Sequence, residues 1–194
     1  MARHPCPPEN GCSRPPWRRE DGATMLEVLV AIVIVAIGLL GLAGLQARLQ
    51  LADFEAYQHS QALLLLQDMA DRISVNRSHA GSYVTANPLG TGDSQPSSCA
   101  TLTGQALDAC EWSNAIKGAA EELGGNKVGT LVGAKGCISS PASNQYVVTV
   151  VWQGTTPTVA PAVTCGSGSY NSGGNCINDL CRRAISTVVT IGSI

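Results

Sequence analysis

Charge and aromatic rings are both scarce in this chain. Only 13% of its 194 residues are Asp, Glu, Lys or Arg, and aromatic side chains make up 4%, with a single Phe. From Gln46 onward eight basic side chains stand against ten acidic ones, so no basic face is available to attract nucleic acid or anionic lipid. Histidine is rarer still. His4 lies in the N-terminal stretch, and His59 and His79 stand twenty residues apart, which leaves no metal cluster. Cys176 and Cys181 have no matching second pair, and this excludes a zinc site of the usual spacing. A Gly-rich phosphate loop with Lys, Gly-x-Ser-x-Gly and His-Glu-x-x-His are all missing. The chain therefore offers no catalytic constellation, cofactor site or metal site, and its composition argues against an enzyme.

What it does have is one long apolar run. Residues 28–47, opening at Val28 and closing at Ala47, carry no charge and are mostly Val, Ile, Leu, Ala and Gly. Twenty helical residues span roughly 30 Å, the thickness of a bilayer's hydrocarbon core. Immediately before the run stands Glu27, a carboxylate that costs about 2.5 to 3.5 kcal/mol at mid-bilayer and less near the interface. Two readings account for it. Thr24-x-x-Glu27 fits a capping box, which needs no partner. Alternatively, Gly22 joins a charged, proline-rich leader to the apolar helix, where a processing peptidase would cut; the new amine on Ala23 would then lie four positions from Glu27, and the carboxylate of one subunit would neutralise the amine of another in a packed bundle. Gly38, Gly41 and Gly44 recur every three residues inside the run. Glycine is common in membrane helices, but each also costs about 1 kcal/mol of helix propensity, so this part of the helix is open to stretching on assembly.

Four arginines precede the run (Arg3, Arg14, Arg18, Arg19) and only Arg48 directly follows it. That asymmetry favours an N-terminus in the cytoplasm. The apolar stretch is too long for an ordinary secretory signal, and no small-x-small cleavage site follows it, so the segment is retained. The outer part then holds six cysteines, Cys99, Cys110, Cys137, Cys165, Cys176 and Cys181. In an oxidising compartment an even number reads as three disulfides, with 15 possible connectivities. Closing the shortest loops first pairs Cys99 with Cys110 and Cys165 with Cys176, leaving Cys137 for Cys181. Three bridges, at about 2 to 4 kcal/mol each, would support a domain with so few aromatic residues.

Helical periodicity continues past the apolar run. Leu45, Leu49, Ala52, Ala56, Leu63, Leu66, Ala70 and Ile73 form a stripe, with Asp53, Gln58, Gln61, Asp68, Asp71 and Arg72 on other faces. One helix from about Thr24 to about Asn76 is expected. Residues 80–98 read as a surface loop, and Thr103 as the cap of a second helix running to about Glu122, with Leu107, Trp112, Ile116, Ala119 and Leu123 inside and Gly124 as terminator. Residues 127–132 are a weak strand candidate, and 145–152 and 184–191 are strong ones. Between the last two lies the stretch 153–180, long, rich in Gly, Ser, Thr, Asn and Pro, and stapled by cysteines.

The stretch Gly-Ala-Thr-Met-Leu-Glu-Val-Leu-Val-Ala-Ile at residues 22–32 resembles the prepilin cleavage and methylation motif of type IV pilins and type II secretion pseudopilins. Residues 27–46, with Gly-Leu-Leu-Gly-Leu-Ala-Gly-Leu-Gln at their end, are similar more narrowly to PilV-type minor pilins, also called type IV pilus modification proteins. Ala109-Cys-Glu-Trp112, the Gly124-Gly125 turn and Tyr146-Val-Val-Thr-Val-Val-Trp152 resemble parts of that family's soluble domain. The chain departs from the pattern in starting its mature form with Ala23 where Phe is usual, and in a long leader of 22 residues containing Cys6, Cys12, Pro5, Pro7, Pro8, Pro15 and Pro16.

The resemblance implies an α+β pilin fold: a long N-terminal helix, first membrane-embedded and then amphipathic, packed on a small antiparallel sheet. It divides the chain into a removed leader (1–22), an assembly half-helix (23–47) and a periplasmic domain (48–194). Cleavage would fall between Gly22 and Ala23, with N-methylation of Ala23 and an assembly role for Glu27. The implied partners are prepilin peptidase, other pilin subunits and the inner membrane, with no nucleic acid. The implied function is that of a minor structural subunit in pilus assembly or priming, adhesion or twitching motility. The rival readings are a minor pseudopilin of a type II secretion system, and a tip adhesin in which the loop 153–180 makes contact.

Overall fold

The computed structural model describes residues 24–118, 122–123, 126–127, 131–171 and 173–192. The chain divides into two compact units, Met1–Gln46 and Ala47–Ile194. Helix α1 runs over Met25–Val75, as its uninterrupted helix-forming composition predicts. Its buried side chains are Gln58, Ala62, Leu66, Met69 and Ile73, a spacing of threes and fours that lays one stripe on the second unit's core. The expected stripe is corrected by this. Leu66 and Ile73 belong to it, whereas Leu45 and Leu49 are each 54% exposed and Ala52 and Ala56 face solvent. The buried line begins at Gln58 and runs through Ala62 and Met69 instead.

The second unit is α+β. A four-stranded antiparallel sheet has the order β1 (Leu89–Gly90), β4 (Lys135–Ala142), β5 (Gln145–Gln153) and β6 (Arg182–Thr190). A separate hairpin pairs β2 (Glu122–Leu123) with β3 (Asn126–Lys127). Strands β5 and β6 form where alternation is strongest, in register from Gln145 opposite Thr190 to Gln153 opposite Arg182. Successive side chains alternate between faces. Val148, Val150 and Trp152 enter the main core with Ala62, Leu66, Met69, Ile73 and Trp112. Val151 lies on the other face and packs with Cys165 and Tyr170.

Several expected elements differ. Strand β4 has no counterpart among the expected elements: Lys-Gly-Cys-Ile-Ser-Ser-Pro-Ala carries Gly and Pro, yet Gly136 is required there because a Cβ would lie 2.6 Å from Trp112 Cζ3 and 2.8 Å from Ile116 Cδ1. Glycine inside a strand marks a close approach, here by helix α2. That helix covers Gly104–Ile116, shorter than expected, and Gly118 at φ 75 stops it in the left-handed conformation that glycine tolerates. Ala119 and Gly124 lie outside the described residues. Thr103 holds the N-cap position without a side-chain cap bond. Leu131 and Val132, the described end of the expected strand 127–132, are not in a strand.

The segment 80–98 is ordered rather than a plain loop. It begins in a 3-10 helix, Arg77–Tyr83, and is then held against α2 by two polar residues. The Asp93 carboxylate accepts from the Gly90 amide (2.8 Å), the Gln95 amide (3.2 Å) and the Ser113 hydroxyl (2.6 Å), and it pairs with Lys117 Nζ. Asn114 donates to the carbonyls of Pro96 (2.9 Å) and Ser97 (3.2 Å).

The disulfides are Cys99–Cys110, Cys137–Cys165 and Cys176–Cys181. The expected pairings of Cys165 with Cys176 and of Cys137 with Cys181 are therefore corrected. Cys137 sits on the outer face of β4, directly opposite Thr149, and its side chain meets the loop crossing that face. Cys165 is in that loop. A shortest-loop rule had no means of placing Cys137 on a strand it did not recognise.

Candidate assembly site

At the head of α1, Thr24 supplies half of a capping box. Its Oγ1 accepts the Glu27 amide at 3.3 Å, and its carbonyl accepts the amides of Glu27 (3.0 Å) and Val28 (3.2 Å). The reciprocal half is not made: among the described residues the Glu27 carboxylate has no hydrogen-bond or ion-pair partner. A cap thus accounts for Thr24 but leaves the Glu27 charge unused. Gly22 and Ala23 lie outside the described residues.

Beyond Glu27 the side chains point outward all around the helix. Ile37 is 66% and Leu40 74% exposed, and among the described residues nothing but the helix's own adjoining backbone lies within 4 Å of a Cβ built on Gly38, Gly41 or Gly44. An 18-residue window of α1 has a mean hydropathy of 3.0 and none of it is buried; by length and composition the helix can cross a membrane. A contiguous apolar surface of this kind marks a place for lipid or for other protein chains. Within the second unit, exposed apolar residues continue along α1 at Leu49, Leu51, Phe54 and Tyr57.

Polar contacts fix the outer part of α1 to its domain. Arg72 pairs with Asp68 (3.0 Å), Asp108 (2.9 Å) and Glu111 (2.7 Å). The Tyr83 hydroxyl donates to Asp108, and burial, then this bond, push that phenol above its ordinary pKa. Glu55 accepts from the Thr155 amide (3.1 Å) and hydroxyl (2.7 Å) and from Arg183 Nη2 (3.2 Å). The Thr155 hydroxyl above all, against an opposing effect of burial, holds the Glu55 carboxyl below its ordinary range.

Arg182 and Arg183 are adjacent on β6, so they project to opposite faces. Arg183 goes to the helix side and meets Glu55. Arg182, 4% exposed, goes to the other side and donates to the carbonyls of Val163 (2.6 Å), Cys165 (2.7 Å) and Pro161 (2.9 Å). The Asp179 carboxylate lies 3.5 Å from Arg182 Nε and accepts the Gly168 amide at 2.7 Å. Both arginines beside the loop 153–180 are committed to internal contacts, and Lys135 Nζ also meets it, donating to the Ser169 hydroxyl at 3.2 Å. Sequence reasoning missed that role; two consecutive arginines opening an alternating strand were the available signal.

Residues 17–43 match the model of the prokaryotic N-terminal methylation motif. Residues 44–116 match a Tt1218-like family described as Type IV pilin Tt1218. The two matches adjoin and together run over just more than half of the chain. Over these residues the chain is similar to the type IV pilins. No curated protein and no solved structure gives a significant match. The pilin assignment covers the long apolar helix and the first part of the soluble domain through α2. The family so matched is one of structural subunits.

Proposed function

We propose that this pilin is a minor, PilV-type subunit of a type IV pilus. In this reading prepilin peptidase removes residues 1–22, Ala23 becomes the methylated N-terminus, and residues 23–47 hold the protein in the inner membrane until assembly. Residues 48–194 then form a periplasmic domain that is later displayed on the pilus, where it serves assembly or priming, adhesion or motility. The observation that carries the reading is the unpaired Glu27 carboxylate at the head of a fully exposed apolar helix. Once packed among other helices, that charge requires a partner, and the amine of a neighbouring mature N-terminus supplies one. Removing one member of such a buried pair costs about 3 to 5 kcal/mol.

Mass spectrometry of assembled pili tests the processing: a mature chain beginning at Ala23 is expected, and a species retaining Arg18 and Arg19 overturns it. Glu27→Gln tests the charge. A capping box accepts Gln as well as Glu, whereas an ammonium is left unpaired by the amide. The variant is expected to be inserted and cleaved normally, yet to fall by more than about tenfold in sheared pili relative to membranes. Wild-type incorporation returns Glu27 to a helix cap. The N-terminal mechanism is shared with type II pseudopilins, and gene deletion separates the two: loss of piliation supports this reading, and loss of protein secretion with normal pili supports the other.

A further inference from the structure

The outer face of the sheet is only half covered. Its far end, around Val151, is capped by the stapled loop through Cys165 and Tyr170, whose hydroxyl donates to the carbonyls of Gly133 (2.9 Å) and Val151 (3.3 Å). Its near end is open, with Val188 58% exposed opposite Val147. The step between cap and open sheet is a groove of about 470 Å³. One wall is residues 85–88, held to β4 by the Thr85 amide on the Ile138 carbonyl (3.0 Å) and the Ile138 amide on Thr85 Oγ1 (3.0 Å). The other wall is residues 162–165, fixed to the floor by the Cys137–Cys165 disulfide.

We propose that this groove is a binding site for a neutral saccharide. Three neutral polar residues line it: Asn87 in one wall, Thr164 in the other and Ser139 on the floor. None of the three makes a side-chain hydrogen bond among the described residues. Between them the floor offers Val147 and the second wall Val163 as apolar surface. Among the described residues no charged side chain lines the groove, so a carboxylate, phosphate, sulfate or ammonium group entering it loses water without gaining a counter-charge. A sugar fits this lining, because its hydroxyls match neutral donors and acceptors and its C–H faces match valine. A docked peptide strand does not fit. The edge of β4 nearest the groove is already occupied by β1 and Thr85, which removes the open backbone groups that strand addition needs. Both walls are anchored, one covalently, so little ordering opposes binding.

The site belongs to the folded domain and does not depend on the pilus reading. The full chain, purified in a detergent without a sugar headgroup, is applied to an array of immobilised neutral, sialylated and sulfated glycans. Binding confined to neutral glycans is expected. Asn87→Ala and Thr164→Ala should each weaken it about fivefold, the loss of one net hydrogen bond, without moving the unfolding midpoint. Val147→Glu, which puts a charge on the partly open floor, should abolish it. The proposal is overturned by no glycan binding, by binding led by the charged glycans, by neutral binding that all three variants retain, or by an immobilised peptide competing for the groove.

Discussion

Gly38 and Gly136 both lie inside regular elements, a helix and a strand, and their surroundings have nothing in common. Around Gly38, among the described residues, nothing but the helix's own adjoining backbone lies within 4 Å of where a Cβ would stand; at Gly136 a Cβ would collide with Trp112 and Ile116. The contrast extends to the regions that contain them. Among the described residues none of the helix up to Gln46 is buried, and its apolar composition suits an environment supplied from outside. From Glu55 on, side chains are chosen for partners far away in sequence: Trp112 Nε1 donates to the Leu65 carbonyl at 2.8 Å, and Glu55 reaches Arg183. One region is written in composition and the other in contacts.

The strongest way to break that comparison is Gly136→Ala. Overpacking costs about 1 to 3 kcal/mol, and the upper end is expected because the obstacles are a buried ring and a buried Ile on a packed helix. For a domain of this size that lowers the thermal midpoint by roughly 6 to 12 °C. Calorimetry on the disulfide-intact protein checks it, and a midpoint within about 1 °C of wild type would mean that α2 and β4 are not packed as described.

A smaller, pH-dependent effect comes from Asp93. Burial pushes its carboxyl up, but Lys117, Ser113 and the amides of Gly90 and Gln95 outweigh that and hold it below its ordinary value. A carboxyl with a depressed folded pKa stabilises the fold fully above its unfolded value of about 3.9, and the contribution is lost as pH falls through the lower folded value. Asp93→Asn is therefore expected to destabilise the domain by about 1 to 2 kcal/mol at neutral pH, with the gap to wild type narrowing below about pH 4. Chemical denaturation at several pH values reads this, and a gap independent of pH would show that the charge at Asp93 contributes nothing.

Legibility in the sequence follows the same division. Helix α1, with Glu27 at its head, is plain because its signal is local: a long uncharged run followed by a helical repeat. Strands β5 and β6 are plain because Val147 to Val151 and Ile185 to Val189 alternate or are uniformly β-branched. Strand β4 is hidden by Gly136, Ser139, Ser140 and Pro141, each of which reads as a turn until Trp112 is seen lying against Gly136. The disulfide error descends from that one omission, since Cys137 finds Cys165 only across a strand face. The clamps made by Arg182 and Arg183 were legible only on the donor side, as paired arginines opening a strand: their acceptors are backbone carbonyls and a carboxylate over a hundred residues away, and neither has a sequence signature. The groove lined by Asn87, Ser139 and Thr164 is assembled from three separate stretches, and no local pattern announces it.

The smallest expected effect is the most discriminating one. Gly38→Ala adds the same methyl group as Gly136→Ala, but into open space on a helix, where Ala is favoured over Gly by about 1 kcal/mol. The thermal midpoint of the domain should not move, because the substitution touches none of its contacts. Local opening of the helix should become rarer, slowing amide exchange at residues 38–44 about fivefold in micelles. A fall in the midpoint would show that the apolar half-helix is coupled to the domain's core. Unchanged stability with reduced recovery in sheared pili would instead mean that Gly38 serves the stretching of the helix during assembly, a step that a stiffer helix resists.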